Sequence, residues 1–467
     1  MTTSRTCISA FVALTLAACG SNADPDATTP DGDAGTDATQ TEPPKVARSD
    51  APRDPASSVS AATLEAIVEA DNAFAFDLYA KVRESAGGKN AVMSPLSVSL
   101  ALSMTYAGAQ NATADEMAKA LHFDAPGLDV HAGHNALAQA LSIRAADALA
   151  AAQKDAQSMG SDAPSPEDFR LHVVNSVWGD GSYTWEPPFL DTLAKSYGAG
   201  VYLADFITQY DAERLRINAW VSEETQDKIK NLLPDGALDD TTRMVLVNAM
   251  HLKLPWQQPF SQELTAAGDF TKADGSTVSV DFMSQQESFA YFEDDRAQIV
   301  SLPLVGREVS LVIALPKSDL GSFEAGLDLA YWKSTWAGRS DTLVSIQLPK
   351  FSFTTESIKL KEVFKGLGMG EPFDPVKADF FGMCQNPPNG ERLFIDEIMH
   401  KAMMAVDENG VEAAAATAVI MAGNTSVPPE PVPMVVDKPF VVAIVDEPTG
   451  SLLFLGRIQD PSEKGSP

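Results

Sequence analysis

The stretch 407-DENGVEAAAATAVIMAGNTSVPPEPVPM-434 decides how this chain is read. Glu412 to Ala416 would open a helix on any propensity scale. Thr417, Val419 and Ile420 follow, however, then Gly423, Asn424 and a run of prolines from Pro428 to Pro433, so no capped amphipathic helix passes through it. Read as a strand, the residues sort by parity. Val411, Ala413, Ala415, Thr417, Val419 and Met421 face one way, and Glu412, Ala414, Ala416, Ala418 and Ile420 the other. The first face carries no charge and nothing too large to slide between neighbours, and the absence of proline before Pro428 leaves each N–H free to join a ladder. A segment that is a loop in one state and a central strand in another needs this composition.

The rest of the chain sets the context for that ribbon. Its 467 residues, 45% hydrophobic and 21% charged, suffice for one large domain or two medium ones. A net charge of −30 and a pI near 4.4 argue against nucleic acid or an anionic membrane surface as a partner, since both would repel such a field. No G-x-S-x-G elbow, H-E-x-x-H, phosphate-cradling glycine loop or C-x-x-C occurs, which leaves an enzyme reading unsupported and implies neither cofactor nor metal. His131 and His134 are expected to be solvated on a polar loop. The "DGDAGTD" at Asp31 to Asp37 lacks the closing glutamate of a calcium loop.

At the N-terminus, Arg5, an apolar run from Ile8 to Ala18 and "LAAC" ending at Cys19 are too short to span a bilayer. They resemble the bacterial lipoprotein box, which implies a signal peptide over 1–18, cleavage before Cys19 and lipidation of its thiol; an ordinary signal peptide is the alternative. Gly20 stands where an aspartate would hold such a lipoprotein in the inner membrane, so an exported chain anchored to the outer membrane of the cell envelope is expected. Residues 19–60 are acidic, rich in Pro and Thr and poor in large apolar side chains, and are expected to form a disordered tether. Cys384 is then the one cysteine left, expected to be a buried or half-buried thiol.

Beyond the tether, Leu64, Ile67, Val68, Phe74, Leu78 and Val82 keep helical spacing, Ser94 and Pro95 cap and open a second helix, and a third helical region is expected from about Asn135 to Met159. The stretches "REVSLVIAL", "LVSIQLPKFSF", "PFVVAIVD" and "SLLFLGRI" read as strands, the last two joined by the turn "EPTG". Helices first and paired strands later, without βαβ alternation, predict an α+β fold over residues 61–462 with a short tail at 463–467.

Several segments then carry a family resemblance. The ribbon itself, "FIDEIMHKAMMAV" before it and "DKPFVVAIVDEPTGSLLFLGRIQDP" after it resemble a serpin, as do "NAVMSPLSVSLALSMTYAGAQNATADEM", "MVLVNAMHLKLPWQQPF" and "LPKFSFTTESIKLKEVFKGLGM". The match runs from about Leu64 to Pro461. It implies a large central mixed β-sheet with surrounding helices, two smaller sheets and an exposed reactive loop. It also implies suicide inhibition, in which a protease cleaves the loop and the loop inserts into the main sheet before the acyl-enzyme can hydrolyse. The native fold would then be metastable.

Carried over residue by residue, Glu408, Gly410, Val411, Glu412 and the small residues Ala413, Ala414, Ala415, Ala416 and Thr417 match the loop hinge. Valine replaces the usual threonine or serine at 411. Ser94, Ser97, Asn248 and His400 match the polar cluster that governs sheet opening, and Trp256 matches the tryptophan where the loop first enters. Family spacing puts the reactive bond at Asn424–Thr425; aligning "SVPPE" puts it at Thr425–Ser426. No Lys or Arg lies between Glu412 and Asp437, which excludes a trypsin-like target and leaves elastase-, chymotrypsin-, subtilisin- or papain-like proteases. Only Arg144 is basic between Asn135 and Ala152, so no heparin-type activator is expected, and the membrane is met only through the lipid. A monomer is expected. The alternative is a non-inhibitory serpin acting as an envelope binding protein.

Overall fold

The computed structural model describes residues 44–412 and 430–465. Among them are two nine-stranded sheets with helices packed against them. The first runs, in spatial order, through strands Val46–Ala47, Val201–Ala204, Arg170–Asp180, Met244–Pro255, Gly410–Val411, Met403–Val406 and Phe351–Thr354, with Ile398–His400 also paired to Met244–Pro255 and Ile358–Lys359 to Ile398–His400. It is mixed: Ile398–His400 runs parallel to the long central strand and Arg170–Asp180 antiparallel to it.

Met244–Pro255 is nearly apolar from end to end because it is buried on both faces. Met244, Leu246, Met250, Leu252 and Leu254 join the main core, shared with helices Ala61–Ala86 and Pro95–Tyr106. Val245, Val247 and Ala249 face a smaller cluster under helix Phe206–Glu224, with Phe206, Ile217 and Val221. Helix Pro95–Tyr106 starts as the sequence predicts, with the Ser94 side chain accepting from Ser97 N–H and Pro95 in the first turn.

The second sheet holds the hairpin Phe440–Asp446 and Ser451–Ile458 toward one end, between strand Val309–Pro316 and the edge strand Ala91–Met93. It is continuous where two smaller sheets would be separate, because the seventeen-residue strand Thr277–Glu293 pairs with Ala266–Thr271 along one part and Ala297–Pro303 along another.

Five expectations need correction. The helical region starts earlier and is two helices, Val130–Ser142 and Arg144–Met159, split at Ile143. Asp129 caps the first, and Arg144 opens the second by turning inward, Nε 2.6 Å from Asp446 Oδ1. "LVSIQLPKFSF" is likewise two strands in different sheets, divided at Lys350 after Pro349, which has no N–H to continue a ladder. His131 and His134 are on a helix rather than a solvated loop. His134 is fully buried, 3.2 Å from the Asp71 carboxylate, and His131 Nδ1 is 2.8 Å from the Tyr197 hydroxyl.

The fourth concerns the tether, whose last part, from Pro44 to Ser60, is docked. Val46 and Ala47 add a strand to the sheet edge opposite Tyr202 and Val201. Gly200 permits this approach, since a Cβ there would lie 2.6 Å from Ala47 O. Arg53 Nε donates to Asn135 Oδ1 at 2.9 Å, and Asp54 O accepts from Asn135 Nδ2 at 2.8 Å and Gln139 Nε2 at 2.9 Å. Composition misled because it measures capacity for apolar burial, whereas this strap is held by backbone and amide hydrogen bonds. At the other end, Thr354 N–H donates to Lys464 O and Gly465 bridges Thr354, so the expected tail begins later than Glu463. Asn135→Ala should cost about 1–3 kcal/mol, removing one of the two donors to Asp54 O and the acceptor of the Arg53 guanidinium. Limited trypsinolysis after Arg53 should accelerate in that variant; unchanged cleavage would mean the strap is held elsewhere.

Candidate functional site

The site is the turn between strands Met403–Val406 and Gly410–Val411. Val411 is 2% exposed and pairs on one side with Leu254 and on the other with Val406. It is therefore seated in the sheet as a short strand of its own. The turn that delivers it is pinned by three bonds from the far side: Trp256 Nε1 donates to Asp407 O at 2.8 Å, Trp256 N to Asn409 O at 2.9 Å, and Phe260 N to Glu408 O at 2.9 Å. The Trp256 ring is itself buried, edge-on to Phe260 at 5.8 Å. Asn409 N–H closes the turn onto Asp407 Oδ1 at 2.7 Å.

Glu408 points back into the body. Its carboxylate takes a hydrogen bond from Thr265 Oγ1 at 2.8 Å and an ion pair from Lys350 Nζ at 2.9 Å. Burial alone would raise its pKa, but the Lys350 hydrogen bond, a backbone amide and Thr265 outweigh that and hold the carboxyl below the ordinary range.

Below Val411 the sheet is open. Met244–Pro255 pairs with Ile398–His400 at Leu246 to Asn248 and with the hinge strand at Leu254 and Pro255. Between these pairings, Ala249 to Lys253 have no ladder partner on that edge among the described residues. A cleft of about 810 Å³ beside them is lined by Lys228, Lys253, Lys350, Met403, Ala405 and Glu412.

Beneath the closed part, Ser94, Ser97, Asn248 and His400 come together, none more than 1% exposed. Ser94 N–H donates to His400 Nε2 at 3.1 Å, so the ring proton resides on Nδ1, which donates to Asn248 Oδ1 at 2.6 Å. Burial holds His400 neutral, with its pKa lowered to about 4. The cluster thus ties helix Pro95–Tyr106 to two strands that must part if the sheet is to widen.

Ala413 to Thr417, Asn424, Thr425, Ser426 and Cys19 lie outside the described residues. The structure also adds residues that sequence reasoning missed. Asn175 lies 3.3 Å from Ser97 Oγ, Lys350 and Thr265 hold Glu408, and Lys228 and His251 meet Glu412. Each is a polar residue remote in sequence from its partner, so no local pattern marks it.

Two expectations follow. Because His400 is neutral in the fold and its imidazole titrates near 6.5 when unfolded, its share of stability is intact above about pH 6.5 and falls away toward pH 4, by up to about 3 kcal/mol. Melting temperature against pH should show this slope, and His400→Gln should flatten it. Glu408 behaves oppositely: its stabilisation is present above the unfolded carboxylate value near 4.3 and is lost as pH falls through the lower folded value. Glu408→Gln should cost about 1–3 kcal/mol at pH 7, with the gap closing on acidification; an equal gap at pH 3 would contradict the pairing with Lys350.

Comparison with known proteins agrees with this geometry. The family described as Serpin (serine protease inhibitor) matches residues 69–461. The leukocyte elastase inhibitor of Bos taurus is 34% identical over 410 residues, covering 85% of this chain and 100% of that protein, and its Xenopus laevis counterpart is 33% identical over 406 residues, with 85% and 100% covered. The native state of tengpin, a thermophilic serpin, superposes with a TM-score of 0.74 at 26% identity, over 89% of this chain and 97% of that one. The chain belongs to the serpin family.

Proposed function

We propose that this chain is a suicide-substrate inhibitor of serine, and by the same route cysteine, endopeptidases. A target cleaves the reactive loop at Asn424–Thr425 or Thr425–Ser426. The loop then continues the strand begun at Gly410 and Val411 into the sheet, carrying the acyl-enzyme with it. The observation that supports this most is the seated Val411 above an unpaired stretch of Met244–Pro255. Insertion there extends a ladder already started, so its first closure cost is met in advance.

The loop's chemistry narrows the target. With no cation between Glu412 and Asp437, a specificity pocket holding a carboxylate has nothing to bind, whereas the small and apolar residues up to Met421 suit elastase-, chymotrypsin-, subtilisin- or papain-like pockets. The relatives named as leukocyte elastase inhibitors support the first of these. A heparin-type activator is not part of the reading: Arg144 is engaged with Asp446 and Glu308 rather than offered to a polyanion. The protein would act as a monomer, held to a bacterial cell envelope by lipid on Cys19, with the outer membrane favoured.

Incubation with an elastase should give an adduct that survives denaturing gels and release a carboxyl-terminal peptide beginning at Thr425 or Ser426, whereas trypsin should give no adduct through this loop. Loop-nicked protein should melt well above intact protein. If nicking leaves the melting temperature unchanged and no protease is trapped, the alternative of a non-inhibitory binding protein replaces this reading.

A further inference from the structure

Glu412 is the last described residue before the loop, and its backbone is left-handed, with φ 53°. A non-glycine residue adopts this conformation only where its surroundings hold it there. Two basic side chains surround its carboxylate. Lys228 Nζ lies 2.7 Å from Oε1 and the His251 imidazole Nε2 lies 3.1 Å from Oε2, His251 being almost fully buried on the open stretch of Met244–Pro255. Burial opposes the charge on Glu412, but His251 and then Lys228 outweigh it and hold its carboxyl below the usual range.

The segment carrying Lys228 spans the slot. On its far side Lys401 Nζ donates to Lys230 O at 2.8 Å, and Gln226, Asp227 and Asn231 are left-handed as well. Strain is thus concentrated around the path a loop would take. The register sharpens the point. The hinge strand pairs Gly410 with Pro255 and Val411 with Leu254, so continued insertion would set position 414 opposite His251. That is where the Glu412 carboxylate now reaches. Insertion must bring Glu412 into extended geometry and break its contact with His251.

We propose that Glu412, His251 and Lys228 form a latch on the loop hinge, setting how fast the cleaved loop enters the sheet. This rests on the inhibitory reading above. Both contacts of the Glu412 carboxylate, to the Lys228 ammonium and to the His251 ring, must part before the loop can lie extended opposite His251. The other groups around His251 are accounted for. His172, directly opposite on Arg170–Asp180, is 3.8 Å from Glu224, Lys253 pairs with Asp168 at 2.9 Å, and Asp227 pairs with Lys230 at 3.7 Å.

The test compares trapped adduct with released nicked inhibitor after reaction with one elastase, with wild type, His251→Gln and Lys228→Met assayed side by side. Each substitution should lower the nicked share about threefold to tenfold relative to wild type. An unchanged share in either variant would overturn the latch. An absence of adduct in every variant, with no gain of heat stability on nicking, would bring down the inhibitory reading and the latch with it. A heat-stable nicked form whose partition ignores both substitutions brings down the latch alone.

Discussion

Val411 is the constraint on which the rest depends. It belongs to the two-residue strand Gly410–Val411, seated between Leu254 and Val406 beside an unpaired stretch of Met244–Pro255, and both conditions can be traced to named side chains. Trp256 and Phe260 grip the carbonyls of the hinge turn, so Val411 cannot withdraw without exposing its own side chain and freeing three buried acceptors. Below it, the His400 cluster keeps the lower strands paired, so the opening is confined to the stretch between Asn248 and Leu254. Neither feature alone makes a slot. Together they set the two-residue strand Gly410–Val411 beside an unpaired stretch of Met244–Pro255, where the proposed insertion would take place.

The charge distribution serves the same geometry. A chain of net charge −30 might be expected to keep its cations at the surface, yet several are committed to buried or half-buried carboxylates: Arg144 to Asp446, Lys350 to Glu408, Lys228 to Glu412. A carboxylate taken out of water needs a partner or it protonates. Two of these three pairs sit on the hinge, where breaking or exchanging an ion pair accompanies any movement of the loop. The hinge is accordingly the place where electrostatics and conformational change meet.

The edge of the main sheet opposite the hinge is managed by other means. Val201–Ala204 would present unpaired backbone groups to solvent, and Val46–Ala47 covers them at low apolar cost. The strap also hydrogen-bonds to helix Val130–Ser142 through Asn135 and Gln139, so it links a strand edge to a helix that packs on the same core.

How much of this was legible follows from the range of the interactions. The amphipathic spacing of Ala61–Ala86, the Ser94–Pro95 helix start, the hairpin around "EPTG" and the alternating small residues after Gly410 are local, and periodicity and capping rules read them directly. So were the residues of the polar cluster, because the family pattern names them together. Hidden from the sequence were the break at Lys350, the inward turn of Arg144, the burial of His131 and His134, and the docking of residues 44–60, since each depends on a partner scores to hundreds of positions away. By itself the sequence marked out the segment with the composition that the proposed change from loop to strand requires, because a small, uncharged, proline-free run is a property of that segment alone. Only the tertiary structure set Val411 in the ladder and turned Glu412 to a left-handed backbone, because the groups that meet them come from elements that are neighbours only in the fold.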